Sequence, residues 1–71
     1  MPRHLMQRCR DAMSDGADFP TIWNTILKGH SAVGGLPIQG VDESGETFVE
    51  IPLLGGQSLI IHHDNKTAKL R

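Results

Sequence analysis

The chain has little of what small proteins commonly use to reinforce a fold. Its 71 residues include one cysteine, one tryptophan, two phenylalanines and no tyrosine. The lone Cys9 excludes a disulfide within the chain, and so short a sequence can bury only a small hydrophobic core. Because such domains usually gain stability from a disulfide, a metal or a partner subunit, the composition predicts one domain that associates with a partner.

Long apolar runs are also missing. The longest, residues 51–54 and 59–61, fall far short of the roughly 20 residues that a membrane-spanning helix needs. The basic start has no apolar segment behind it, which argues against a secretory leader, and a single cysteine fits a reducing compartment. We therefore expect a soluble, cytoplasmic protein without membrane contact.

There is no strong excess of charge, since the formal net charge is −1, but the charges are unevenly placed. Acidic residues occupy the middle of the chain. Basic residues lie near its two ends, at Arg3, Arg8, Arg10, Lys66, Lys69 and Arg71. A nucleic-acid-binding domain usually has a net basic charge and several aromatic residues for stacking. That function is therefore the alternative prediction, and it requires the two ends to form one basic edge.

Residues 47–63 carry the clearest pattern of strands. Two apolar, β-branched runs flank Gly55 and Gly56, which predicts an antiparallel hairpin. A three-residue loop over 54–56, with Gly56 left-handed, places five side chains on one core face: Val49, Ile51, Leu53, Leu59 and Ile61. The opposite face then carries a mixture of apolar and polar side chains: Phe48, Glu50, Pro52, Ser58, Ile60 and His62.

A short helix is predicted over about residues 19–28. Asp18 is a suitable N-cap, Pro20 fits the first turn, and Gly29 is a typical C-terminal stop. One apolar stripe at helical spacing follows, formed by Phe19, Ile22, Trp23, Ile26 and Leu27. We interpret Trp23 as a core residue, with a role as an interface anchor as the alternative.

The remaining segments complete an α+β prediction. Residues 36–41 form a strand that Pro37 places at a sheet edge, and the turn at 42–45 pairs it with residues 46–53. Residues 67–71 supply a possible last strand. Residues 1–17 form either a short amphipathic helix ended by Gly16 or a loose tail. The predicted domain, residues 18–71, is thus one amphipathic helix on a three- or four-stranded antiparallel β-meander.

Chemically reactive residues form no recognisable site. His62 and His63, next to Asp64, point to opposite faces of a strand. A metal site would also need His4, His30 or Cys9, and none of these has the spacing of zinc ligands. Arg8 and Arg10 beside Cys9 are expected to lower the pKa of its thiol. A helix on a small sheet leaves little room for a ligand pocket of roughly 300 Å³. We predict no catalytic residue, no metal and no cofactor.

The function predicted from these patterns is a small, non-enzymatic protein-interaction module that forms a homodimer. The hypothesis depends on the apolar content of the second hairpin face, because apolar side chains left in water favour association. The residues expected to carry the interaction are Phe48, Leu54, Ile60 and Trp23.

Overall fold

The computed structural model describes residues 2–71, and Met1, part of the predicted N-terminal segment, lies outside them. Helix α1 (Pro2–Ser14) comes first, followed by α2 (Phe19–Ile22), which continues as a π-helical segment (Trp23–Leu27). The strands are β1 (Ile38–Val41), β2 (Thr47–Pro52), β3 (Ser58–His62) and β4 (Thr67–Leu70), with a 3₁₀ turn (His63–Asn65) before the last. They form one antiparallel sheet in the order β1-β2-β3-β4. The predicted α+β fold with a β-meander is confirmed, with four strands.

The central hairpin has the predicted register. Val49 pairs with Ile61 and Ile51 with Leu59, while the N–H of Leu53 donates to the carbonyl of Gln57 at 2.8 Å. The loop therefore contains three residues. Both of its glycines adopt positive φ, 91° at Gly55 and 89° at Gly56, so the loop uses the conformational freedom of two glycines rather than one.

Helix α1 is docked and is not a loose tail. Leu5, Cys9 and Met13 recur at every fourth position and are buried in the same core as the inner face of the sheet. The helix ends in a Schellman motif, in which the N–H of Ala17 donates to the carbonyl of Ala12 and Gly16 takes a φ of 91°. The N-terminal segment therefore contributes directly to the core.

Helix α2 starts as predicted, with the carboxylate of Asp18 accepting from the N–H of Thr21 at 3.0 Å. Its second half is wider than an α-helix, because the N–H of Lys28 donates to the carbonyl of Trp23, five residues back, at 2.7 Å. This winding brings Ile22 and Leu27, also five residues apart, into the core together. Trp23 is half-buried and packs against that core, as predicted.

The two helices pack on the front face of the sheet, and the face opposite them is called the back face below. The front face carries the apolar side chains of the central hairpin together with Ala68. No helix within residues 2–71 is both long enough and apolar enough to cross a membrane.

Candidate functional site

The two outer edges of the sheet are protected very differently. At the outer edge of β4, called the β4 edge, Ser58 and Arg71 exchange both backbone hydrogen bonds at 2.9 Å. Because such pairs alternate along an antiparallel ladder, the peptide groups of Ala68 and Leu70 must point outward. Helix α1 packs against this strand, and the Nε and Nη2 atoms of Arg10 donate to the Ala68 carbonyl at 3.0 and 2.7 Å. The β4 edge is therefore covered in part, with the outward carbonyl of Ala68 paired to Arg10.

The outer edge of β1, called the β1 edge, has no such cover. The N–H of Asp42 donates to the carbonyl of Glu46 at 2.9 Å, continuing the β1–β2 ladder. By the same alternation, Ile38 and Gly40 bond to β2, and the N–H and C=O groups of Gln39 and Val41 point away from the sheet. Among residues 2–71 the only strand paired with β1 is β2. The β1 edge thus presents unpaired backbone donors and acceptors, which are a template for another strand.

Exposed apolar side chains gather at the same edge. In the described part of the chain, the large hydrophobic residues left in water are Leu36, Ile38, Val41 and Leu54, which are 76%, 55%, 65% and 65% exposed. Three of these four lie in or just before β1. Residues 36–41 contain no charged side chain, although exposed sheet edges are commonly protected by lysine or another charge. The edge is both open and apolar.

Gly40 lets an aromatic ring reach this edge on the back face. A Cβ atom at Gly40 would lie 2.6 Å from Cζ of Phe48, so the ring of Phe48 lies directly over the glycine. The ring also packs against His62, with 5.8 Å between the ring centroids. Phe48 is half-buried as a result, and its ring extends the apolar surface of β2 across β1.

The rest of the back face exposes less apolar surface to water than predicted. Ile60 is 1% exposed, so the expectation that it faces water is wrong. Its cross-strand neighbours Glu50 and Lys69 lie on either side of it. The carboxylate of Glu50 accepts from Oγ of Ser58 at 3.0 Å and lies 3.8 Å from the guanidinium of Arg71. Ile60 is therefore buried within a single chain, between strands that carry long polar side chains beside it.

The other predicted interaction residues lie apart from one another. Leu54 is exposed in the hairpin loop, whereas Trp23 is on the helical side of the sheet. Leu54 follows Phe48 by six positions, which correspond to roughly 20 Å at about 3.3 Å per residue. The four residues therefore do not form one surface, and the β1 edge was not identified from the sequence as the site.

The predicted basic edge is brought together only in part. Helix α1 and β4 are in contact, so the two basic segments are neighbours. Arg10 is bound to the Ala68 carbonyl, however, and Arg71 lies near Glu50. With 3.6 residues per turn, Arg3 and Arg10 share one side of α1 while Arg8 lies almost opposite. Of the six residues predicted to form this edge, Arg3, Arg8, Lys66 and Lys69 are exposed and lie outside these contacts.

The turn after β1, residues 42–46, is organised by Asp42. Its Oδ1 accepts from the N–H and Oγ of Ser44 at 3.0 and 2.8 Å and from the N–H of Glu46 at 2.9 Å. Its Oδ2 lies 3.1 Å from Nε2 of His62. These contacts, led by the hydrogen bond from Ser44, lower the pKa of the Asp42 carboxyl to about 2. This acidic turn fixes the end of β1 in an extended conformation.

His62, His63 and Cys9 all make contacts within the fold. His63 contacts the Ala17 carbonyl at 3.0 Å on the front side, while His62 packs on the back face, so the two do not share a ligand. Residues 2–71 contain no group of three or more His, Cys, Asp or Glu side chains placed to hold a metal ion. Burial raises the pKa of the Cys9 thiol to about 11, although Arg8 acts in the opposite direction. The expected lowering of that pKa is wrong because the thiol is inside the core.

A groove of about 560 Å³ lies on the front face beside β1, larger than the space predicted for so small a fold. It lies between the start of α2 and strands β1 and β2. Its lining is mainly apolar and includes Phe19, Val41 and Val49. The polar groups Asp18 and His63 at its rim already bind Thr21 and the Ala17 carbonyl. The groove therefore offers apolar contact but few free polar groups to orient a small ligand.

Comparisons of the chain with protein-family profiles, with curated protein sequences and with solved structures give no significant match.

Proposed function

We propose that this chain is a non-enzymatic protein-interaction module that self-associates through the β1 edge. The observation that supports this proposal is the contrast between the two sheet edges. The β4 edge is covered by α1 and by the side chain of Arg10, whereas the β1 edge is open, uncharged and lined by Leu36, Ile38 and Val41. An edge of this kind accepts a further strand, as in the many complexes that recognise partners by strand addition.

Chemical considerations favour binding over catalysis. Cys9 is buried, and His62 and His63 are hydrogen-bonded within the fold. The front groove lacks a convergent set of free polar groups. A nucleophile with a base in reach, which covalent catalysis requires, has no candidate among these residues.

The experiment is a sedimentation-velocity series at rising protein concentration on the unmodified chain and two variants. Val41→Lys places a charge on the β1 edge, and Leu54→Lys places the same charge on an equally exposed residue in the hairpin loop. We expect the lysine at position 41 to weaken self-association at least tenfold, because pairing would desolvate its charge. The lysine at position 54 should leave the association unchanged.

Two results would count against the proposal. One is a single-chain mass at every concentration, which would remove self-association. The other is equal weakening by both lysine variants, which would place the interface away from β1. A matched measurement of thermal unfolding for each variant separates lost association from lost folding.

Nucleic-acid binding is the second candidate, and the observation that favours it is the contact between α1 and β4, which brings the basic ends side by side. Binding of a labelled duplex or single strand should then weaken steeply with added salt, because phosphate contacts release counterions. The single variants Arg3→Gln and Lys69→Gln should each reduce that binding, while Lys28→Gln at the end of the π-helical segment serves as the charge-matched control. Absence of any bound species at low salt would exclude this candidate.

A further inference from the structure

We infer that the partner of the β1 edge is the β1 strand of a second copy, paired antiparallel about Gly40 to give one continuous eight-stranded sheet. This inference rests on the self-association proposed above. It specifies which residues meet and which backbone groups bond.

The backbone pattern selects the register. The outward-pointing groups of β1 belong to Gln39 and Val41, so a hydrogen-bonded pairing must bring these residues opposite outward-pointing residues of the second copy. Pairing Gln39 with Val41 of the second copy, and the reverse, uses only strand residues and forms both hydrogen bonds of each pair. Centring the pairing on Gln39 instead would place Val41 opposite Pro37, which has no N–H to donate. Centring it on Val41 would place Gln39 opposite Glu43, which lies in the acidic turn.

Gly40 fits the centre of such a dimer. The two glycines would face each other as a non-hydrogen-bonded pair, the closer type of pair in an antiparallel sheet. Neither carries a side chain, and the Phe48 ring of each copy already covers its own glycine on the back face. Ile38 of the second copy lies diagonally across from Gly40, within reach of that ring. The pairing thus covers Ile38, which is half exposed in the single chain.

Charge also favours the antiparallel arrangement. The acidic turns, residues 42–46, would lie at opposite ends of the paired strands. In this register the two Asp42 residues are four positions apart, or roughly 13 Å at about 3.3 Å per residue. That separation exceeds the screening length of about 8 Å at physiological salt. A parallel, in-register pairing would instead place the two turns side by side.

The front groove is consistent with the same arrangement. A two-fold axis through the paired glycines is normal to the sheet, so both copies keep their helices on one side. Val41, which lines the groove and is exposed at its open side, then lies beside Gln39 of the second copy.

The paired strands are short and the contact is smaller than a standard interface, so we expect a dissociation constant between about 10 µM and about 1 mM.

Amide hydrogen exchange on the unmodified chain, measured by NMR at low and high concentration, tests the pairing. The amides of Gln39 and Val41 should gain protection with concentration. Those of Ile38 and Gly40, which already bond to β2, and that of Gly56 in the distant loop should not change. Protection at only one of the two outward amides would overturn the proposed register.

A backbone substitution gives an independent test. Gln39→Pro removes an outward N–H that the single chain does not use, whereas the control Gln39→Ala removes only the side chain. The proline variant loses two of the four hydrogen bonds of the dimer, so its dissociation constant should rise at least tenfold, while the alanine variant should dimerise as the unmodified chain does. Equal dimerisation by both variants would overturn the inference.

These experiments distinguish a failure of the proposed register from a failure of the proposed self-association. A dimer whose Gln39 and Val41 amides stay unprotected would refute strand pairing and leave self-association standing. A single-chain mass at about 1 mM, where about half of the chains or more should be in dimers across the expected range of dissociation constants, would refute both. If the proline variant fails to fold, the exchange pattern of the unmodified chain still decides the register.

Discussion

Truncating Leu5 tests whether α1 is docked on the sheet, on which the difference between the two sheet edges depends. Leu5 is buried against the core, and Leu→Ala changes at such sites cost about 2–5 kcal/mol. A chain of this length has a total stability of roughly 4–10 kcal/mol, at about 0.05–0.15 kcal/mol per residue. Leu5→Ala should therefore remove a large share of the stability and lower Tm by roughly 10 °C or more.

The assay is urea unfolding followed by the fluorescence of Trp23, the single tryptophan, which packs against the same core. His4→Ala is the matched control, because His4 is the exposed neighbour of Leu5 on the same helix. Its cost should stay within about 0.5 kcal/mol, as for most surface changes. If Leu5→Ala were as mild as His4→Ala, α1 would not be docked. The β4 edge would then be as open as the β1 edge, and the reasoning from their contrast would fail.

Three further predictions concern the core, the acidic turn and Gly40. Burial raises the pKa of the Cys9 thiol to about 11. At pH 8 the thiol should therefore react with a thiol reagent at least about 100-fold more slowly in the folded chain than in urea. Comparable reaction rates would show that the thiol is accessible. Because the pKa of Asp42 is lowered from 3.8 to about 2, its stabilising contribution should be complete above about pH 4 and lost as the pH falls toward 2. Thermal melts across that range should show this loss in the unmodified chain and a smaller one in Asp42→Asn, and identical profiles would contradict the assignment. Gly40→Ala should lower the free energy of unfolding by about 1–3 kcal/mol, because the added methyl group pushes the Phe48 ring aside. In a double-mutant cycle, most of this loss should disappear in the Phe48→Ala background. An equal loss in both backgrounds would place the strain elsewhere.

Much of the fold could be predicted because its determinants are local. The two glycines of the hairpin loop set a register that places Ile51 opposite Leu59, and Asp18 with Pro20 sets the start of α2. The sequence left open whether the N-terminal segment is a helix or a loose tail, because its burial depends on a contact between residues far apart in sequence. Arg10 and Ala68, which join α1 to β4, are separated by 58 positions.

The candidate site was harder to predict, for two physical reasons. The exposure of a side chain such as Ile60 depends on neighbours from three strands, which alternation within one strand cannot reveal. The β1 edge was recognisable in principle, since Pro37 marked an edge strand and residues 36–41 lack charge. Whether the other edge is covered, however, depends on the docking of α1, and only that comparison distinguishes the β1 edge.

The π-helical turn was not predicted, because its sequence carries the same apolar spacing as an α-helix. Ile22 and Leu27 are five residues apart and both buried, which the wider turn permits. In an α-helix they would lie about 140° apart, at the two edges of the predicted apolar stripe.

The most direct test of the central claim is sedimentation equilibrium of the unmodified chain from about 10 µM to about 1 mM, a range that spans the affinity expected of a small interface. Pairing through β1 predicts an average mass that rises with concentration from one chain toward two and stops there, because joining the two β1 strands leaves at the ends of the sheet only the β4 edges, against which α1 and Arg10 pack. A mass that stays at one chain throughout, or that rises without limit, would contradict it.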